Sequence, residues 1–248
     1  MTTEGQNPHS SGYWEGKSWH SFLHNQDQFD NIPRIGECLR DKQVFFIGDS
    51  TLHQIWMELC PILNVPIALE YMKCDDAAEL QSKPTSIYLN DYNLTINFVF
   101  HHIRVGLPRY FSCAVFEVDV LDSLGQESCD HVVVLGFGIH FRQWSRSAFI
   151  DRVTHINSAV SRLRKRCPHT LIIVKGPHMA SENNKYRSWS DWFVYEMKEI
   201  MKLHFQHNGI LFLDTWDMNL SFLAPNNVHM PPAPVRQEFR LLLSMLCS

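Results

Sequence analysis

Two short stretches of this chain carry residue types that could do chemistry together. The first is Ile47-Gly48-Asp49-Ser50-Thr51, where an apolar run ends in Gly-Asp-Ser ahead of an amphipathic segment. The second, about 180 residues later, is Asn226-Asn227-Val228-His229-Met230-Pro231-Pro232. A serine hydroxyl is a weak nucleophile until a neighbouring base takes its proton, and histidine is the side chain that most often serves. With Ser50 as nucleophile and His229 as base, the pair would perform acyl transfer through an acyl-serine. The plainer reading of Ser50 is a helix cap, a role that Asp and Ser fill routinely.

Acyl transfer also needs donors for a tetrahedral oxyanion. The Ser50 backbone N–H, at a predicted helix start, is one. The loop Gly136-Phe137-Gly138-Ile139-His140-Phe141-Arg142 offers Gly138 and the His140 ring, and Gly106 is a further backbone candidate. These glycines read equally well as turn residues. The adjacent pair His101-His102 would face opposite sides of a strand, so no metal site is expected from it.

The elements that must position these groups follow an alternating pattern. Val44–Gly48 reads as a buried parallel strand, followed by a helix from Thr51 to about Cys60 that Pro61 stops. The stretch 66–118 reads as β-rich, with a loop over 72–84 and a strand over Asn93–Phe100 that puts Leu94, Ile96, Phe98 and Phe100 on alternate positions. Strands at His131–Gly136, Thr170–Lys175 and Ile210–Asp214 then alternate with helices at Arg146–Arg166, Ser190–His207 and from about Pro234. Such alternation predicts a parallel sheet covered on both faces, with ligands bound beyond the carboxyl ends of its strands. Residues 1–35 are polar and read as a wrapping segment, leaving 36–248 as one catalytic-size domain.

With 45% hydrophobic and 19% charged residues the chain is of globular composition. A net charge of -4 without a basic patch argues against nucleic acid. No apolar segment approaches the roughly 20 residues of a membrane span, and the polar start has no secretory apolar core. Seven cysteines show no finger spacing, and two glycosylation sequons occur at Asn93 and Asn219.

The Gly48-Asp49-Ser50 block, the glycine loop and the late histidine resemble the SGNH/GDSL hydrolases. Ile47 to Gln54, Leu135 to Arg142, Asp214-Thr215-Trp216-Asp217 and Asn226 to Pro232 resemble, more narrowly, the NXPE (neurexophilin and PC-esterase) proteins, from about Gly12 through Cys247. The resemblance implies a three-layer α/β/α sandwich, a flavodoxin-like SGNH hydrolase fold with a mainly parallel sheet. It implies removal or transfer of acyl groups, chiefly acetyl, on a carbohydrate or glycoprotein. Ser50 takes the nucleophile position, His229 the base, and the loop from Gly136 the oxyanion position, although many SGNH enzymes have Asn where this chain has His140. No cofactor is implied, save acetyl-CoA as acyl donor if the reaction is a transfer. It also implies a secretory-pathway protein (Golgi lumen or secreted), of which this chain is the catalytic part.

One departure stands out. The broad SGNH pattern has Asp three residues before the histidine, where this chain has Asn226. An amide oxygen can still orient the ring but supplies no charge for the imidazolium; Asp214 or Asp217 could serve as the orienting carboxylate instead. On the substrate side stand Asp49, the potential sugar-stacking Trp144, and Arg142 and Arg187, whose planar forks suit an acidic sugar. Three readings stay open: a glycan O-acyl esterase or O-acetyltransferase, a secreted binding module that has lost turnover, and a cytosolic esterase.

Overall fold

The computed structural model describes residues 11–22, 31–65, 85–101, 115–179, 191–206, 209–223 and 228–247. The expected loop at 72–84 lies outside them. A six-stranded sheet forms the middle layer, in the order β4 (Thr85–Leu89), β5 (Leu94–Phe100), β3 (Gln43–Gly48), β6 (His131–Gly136), β7 (Leu171–Lys175), β8 (Leu211–Leu213). Every neighbouring pair is parallel except the edge pair β4–β5. The fold is thus a three-layer α/β/α sandwich with a mainly parallel sheet.

The strands are apolar on both faces because each face is covered. Val44, Phe46, Phe98, Val134, Ile173 and Leu213 point into one core, shared with α1 (Ile32–Cys38), α2 (Ser50–Met57) and α8 (Pro232–Leu246). Ile47, Val99, Val133, Leu135, Val174 and Phe212 point into the other, under α4 (Glu117–Ser123), α5 (Arg146–Arg166) and α6 (Asp191–Phe205). This two-sided burial follows from the period of two along each strand.

The expected single helix after β3 is two. Pro61 lacks the N–H that would extend the ladder of α2, so α2 ends at Met57 and α3 (Leu59–Ile62) restarts with Pro61 in its first turn, where no donor is needed. Within residues 1–35 a hairpin of β1 (Gly12–Glu15) and β2 (Ser18–Ser21) lies against α7 (Trp216–Leu220): Trp14 Nε1 donates to Met218 O at 2.9 Å. Disulfides join Cys38 at the end of α1 to Cys247 after α8, and Cys129 before β6 to Cys167 after α5.

The chain runs from β3 outward to β4 and β5, then crosses to β6 on the other flank, so the carboxyl end of β3 is the crevice where ligands bind in such sheets. There the sheet is drawn tight. Asp49 N–H donates to Gly136 O and His101 N–H to Gly48 O, each at 2.9 Å. A Cβ on Gly48 would lie 1.9 Å from Gly136 O, and that oxygen is backbone. Gly48→Ala is therefore expected to force β3 and β6 apart and cost about 3 kcal/mol or more, read as a lowered urea midpoint; an unchanged midpoint would contradict this packing.

Candidate active site

Ser50 is the first residue of α2, and the helix start explains its setting. The N-cap Asp49 accepts from Thr51 N–H at 2.9 Å and from Thr51 Oγ1 at 2.6 Å. Ser50 N–H is left outside that cap, at the positive end of the helix dipole. Ser50 Oγ lies 2.7 Å from His229 Nε2, within reach for direct proton transfer. Ser50 is half-buried and His229 exposed, so a substrate can approach.

The loop that carries His229 is pinned on both sides of the ring. Gln54 Nε2, one turn along α2, donates to Met230 O at 3.0 Å. His178 Nε2 meets Val228 O at 2.9 Å, while its Nδ1 faces Lys175 Nζ at 3.4 Å. An ammonium cannot accept, so Nδ1 is the acceptor and Nε2–H the donor to Val228. Burial first, and then the Lys175 charge, push His178 down to about 4, keeping it neutral. Lys175 is itself buried, 3.4 Å from Glu238 Oε2 on α8. Glu238 Oε1 accepts from Thr215 Oγ1 at 2.7 Å and Asn219 Nδ2 at 2.6 Å. Burial alone would raise the Glu238 carboxyl, but Lys175, His178 and these hydrogen bonds outweigh it and hold it below the ordinary range.

A second chain of polar groups, with His101 and Glu117 buried at its centre, flanks Asp49. His101, the residue after β5, faces Glu117 Oε1 through Nδ1 and His140 Nδ1 through Nε2, the latter at 3.0 Å. Arg152 of α5 closes on the other Glu117 oxygen. The rings of His101 and His140 are stacked, centroids 4.9 Å apart. Burial would raise both Glu117 and Asp49, yet both are held low, Glu117 by His101 and Arg152 and Asp49 by His140, His101 and the Thr51 hydrogen bond.

Several expectations are corrected. Asp49 is not on the substrate side: it is 1% exposed and spends its carboxylate on the helix cap. Neither Asp214 nor Asp217 orients His229. Asp214 bonds Trp216 N–H at 3.2 Å and Lys198 Nζ at 3.2 Å, and Asp217 is an exposed residue of α7. Among the described residues, the hydrogen bond of the His229 ring is the one to Ser50. Asn226, Gly106 and Arg187 lie outside the described residues. Gly138 opens a 3-10 turn over Ile139–Phe141 with φ 145°, and its carbonyl accepts from Phe141 N–H at 2.8 Å. Arg142 is half-buried and Trp144 38% exposed, edge-on to Phe141 beside this turn. The sequon residue Asn219 is fully buried, its amide committed to Glu238, whereas Asn93 is exposed.

The site has a defined acid sensitivity. His53 is also pushed down to about 4, by burial and then by His229. A histidine whose folded value lies below its unfolded 6.5 gives stability that is full above 6.5 and lost as pH falls toward 4. His53 and His178 should each cost roughly 2 kcal/mol by about pH 5. The lowered Asp49, Glu117 and Glu238 continue the loss below the ordinary carboxylate range. Urea unfolding between pH 7 and pH 4 should show a steady fall; a flat profile would contradict neutral buried imidazoles.

Among solved structures, the acetylxylan esterase Axe2 from Geobacillus stearothermophilus is similar at 12% identity, covering 83% of this chain and 94% of its own, with a TM-score of 0.46. LAE5, an alpha/beta hydrolase enzyme from the metagenome of Lake Arreo, is similar at 13% identity, covering 83% and 95%, with a TM-score of 0.49. Residues 19–247 match the family described as "NXPE family member 4-like, C-terminal domain". With nearly its whole length matched, and a Gly-Asp-Ser helix start facing a late histidine across the strand ends, the chain belongs to that family.

Proposed function

We propose that this domain is a serine-dependent O-acyl esterase or O-acyltransferase that handles acetyl groups on glycans. The observation that carries the reading is the 2.7 Å approach of Ser50 Oγ to His229 Nε2 at the start of α2. As Oγ attacks the acyl carbonyl, His229 Nε2 takes its proton. The tetrahedral oxyanion is met by the Ser50 N–H and by the turn carrying Gly138 and His140. Collapse breaks the bond to the sugar or other carrier oxygen, which leaves with the proton from His229. Water or a second sugar hydroxyl then gives its proton to His229 and takes the acyl group, and His229 returns that proton to Ser50 Oγ as the acyl–Oγ bond breaks. The two outcomes share their first half-reaction, and acetyl-CoA is the natural carrier if the second is a transfer. Trp144 and Arg142, beside the same turn, are the proposed sugar contacts. The disulfides Cys38–Cys247 and Cys129–Cys167 suit an oxidising, secretory compartment.

A binding module without turnover is the second reading, favoured by the lack, among the described residues, of a carboxylate on the His229 ring. Incubation with acetylated oligosaccharides, and with acetyl-CoA plus an unacetylated acceptor, separates the readings. Acetate release or transfer by the wild type and not by Ser50→Ala supports catalysis; binding without turnover in both supports the module.

A further inference from the structure

A general base must be held within about 0.5 Å of its working position. Yet Val228, His229 and Met230 lie in neither helix nor strand, and His229 is exposed. Two side chains that the acyl-transfer steps leave idle reach the carbonyls on either side of the ring. Gln54 Nε2 meets Met230 O at 3.0 Å, and His178 Nε2 meets Val228 O at 2.9 Å.

Both contacts have one possible sense. A carbonyl oxygen only accepts, so each nitrogen must carry the hydrogen. For His178 this fixes the tautomer, with the proton on Nε2 and the lone pair of Nδ1 turned to Lys175 Nζ, 3.4 Å away. The opposite tautomer would set a lone pair against Val228 O and an N–H against an ammonium. Burial and the same ammonium disfavour a second proton, so the ring stays neutral and the donor stays in place.

The two anchors start from the parts of the fold that the base must meet. Gln54 lies one turn after Ser50 on α2, so the helix that carries the nucleophile also holds the base loop. His178 is 1% exposed and stands just after β7, where Gly176 N–H donates to Leu213 O of β8 at 3.0 Å. Its neighbour Pro177 packs on the Gly138 turn: a Cβ on Gly138 would lie 3.1 Å from Pro177 Cβ. Val228 packs against a cluster of Ile139, Val194 and Trp216, and Ile139 belongs to that same turn. Nucleophile, base and oxyanion turn are thus tied together through a short chain of contacts.

We propose that Gln54 and His178 are positioning residues for His229, two donors that clamp its loop from the nucleophile's helix and from the sheet and so hold Nε2 on Ser50 Oγ. The clamp acts on the backbone, whatever the ring's other nitrogen meets. Its task rests on the acyl-transfer reading of Ser50 and His229.

The test uses the whole domain and a fluorophosphonate, with kinact and KI read separately. His178→Leu fills the space without a donor. It should lower kinact by about 10²-fold, the cost of a misplacement near 1 Å, and leave KI unchanged. In His178→Gln the new amide nitrogen can still donate to Val228 O and its oxygen can accept from Lys175, so most of the loss should be recovered. A merely structural role would not separate the two, because both remove the packed ring. Gln54→Met, of like length, should also lower kinact alone. Combined with His178→Leu it should slow labelling further, but never beyond His229→Ala, because both donors act through that imidazole. A wild type inert to the probe overturns the acyl-transfer reading, and the clamp's task with it. A wild type that labels while either His178→Leu or Gln54→Met labels at its rate overturns the clamp alone. So does a loss that His178→Gln fails to restore, a change confined to KI, or a double variant slower than His229→Ala. If His178→Leu fails to fold, Gln54→Met decides, by the fall in kinact or its absence.

Discussion

Ser50→Ala is expected to abolish covalent capture by a fluorophosphonate, and His229→Ala to slow it by about 10⁴- to 10⁶-fold, the range found when one member of a nucleophile–base unit is removed. Without Oγ there is no atom to phosphonylate. Without the imidazole the hydroxyl must attack with its proton in place, although the helix start still favours the oxyanion. The two alanine variants should lose about as much together as either does alone, because they act as one unit. Neither residue is part of the core, Ser50 being half-buried and His229 exposed, so unfolding midpoints should stay within about 0.5 kcal/mol of the wild type. Wild-type protein that never labels, or His229→Ala that labels at the wild-type rate, would remove the enzymatic reading.

Lys175→Met is expected to be among the most damaging substitutions away from the reacting atoms, costing about 3–5 kcal/mol of stability. Both Lys175 and Glu238 are 1% exposed, and the ammonium is the cation that offsets the Glu238 charge. Methionine fills the space and leaves the carboxylate buried and unbalanced. A loss of that size corresponds to a Tm lower by about 10 °C in a domain of this length. Adding Glu238→Gln should recover most of it. The glutamine oxygen can still accept from Thr215 and Asn219, while the unpaired charge is gone. Failure of the double variant to recover would mean that the pair's charge is not what holds α8 on the sheet.

The pairing of Ser50 with His229 was legible because each is announced locally. A serine that follows an apolar strand and a histidine that precedes a final helix sit at fixed places in an alternating α/β chain. The strands were legible for a related reason: runs such as Val132–Leu135 have no polar face, as sheets covered on both sides require. The supports of the site carry no such announcement. Lys175 reads as the polar end of a strand and Glu238 as one charge on an amphipathic helix, and only the fold brings them within 3.4 Å. His101 read as half of a histidine pair; its partner proves to be Glu117, at the head of a seven-residue helix too short to show a period. Asp214, by contrast, looked like an orienting acid from its place at a strand end. The lysines at 198 and 202, one turn apart on α6, claim it instead.

The buried amide of Asn219 limits what can be hung on the chain. An oligosaccharide attached there before folding would need the volume that Glu238 and Thr215 fill, so the decorated polypeptide could not close α7 against α8. Once folding is complete, the same nitrogen is out of reach of any transferase. A sugar at Asn219 is therefore incompatible with this packing, and of the two tripeptides read as sequons only the one at Asn93 presents its asparagine on an exposed turn.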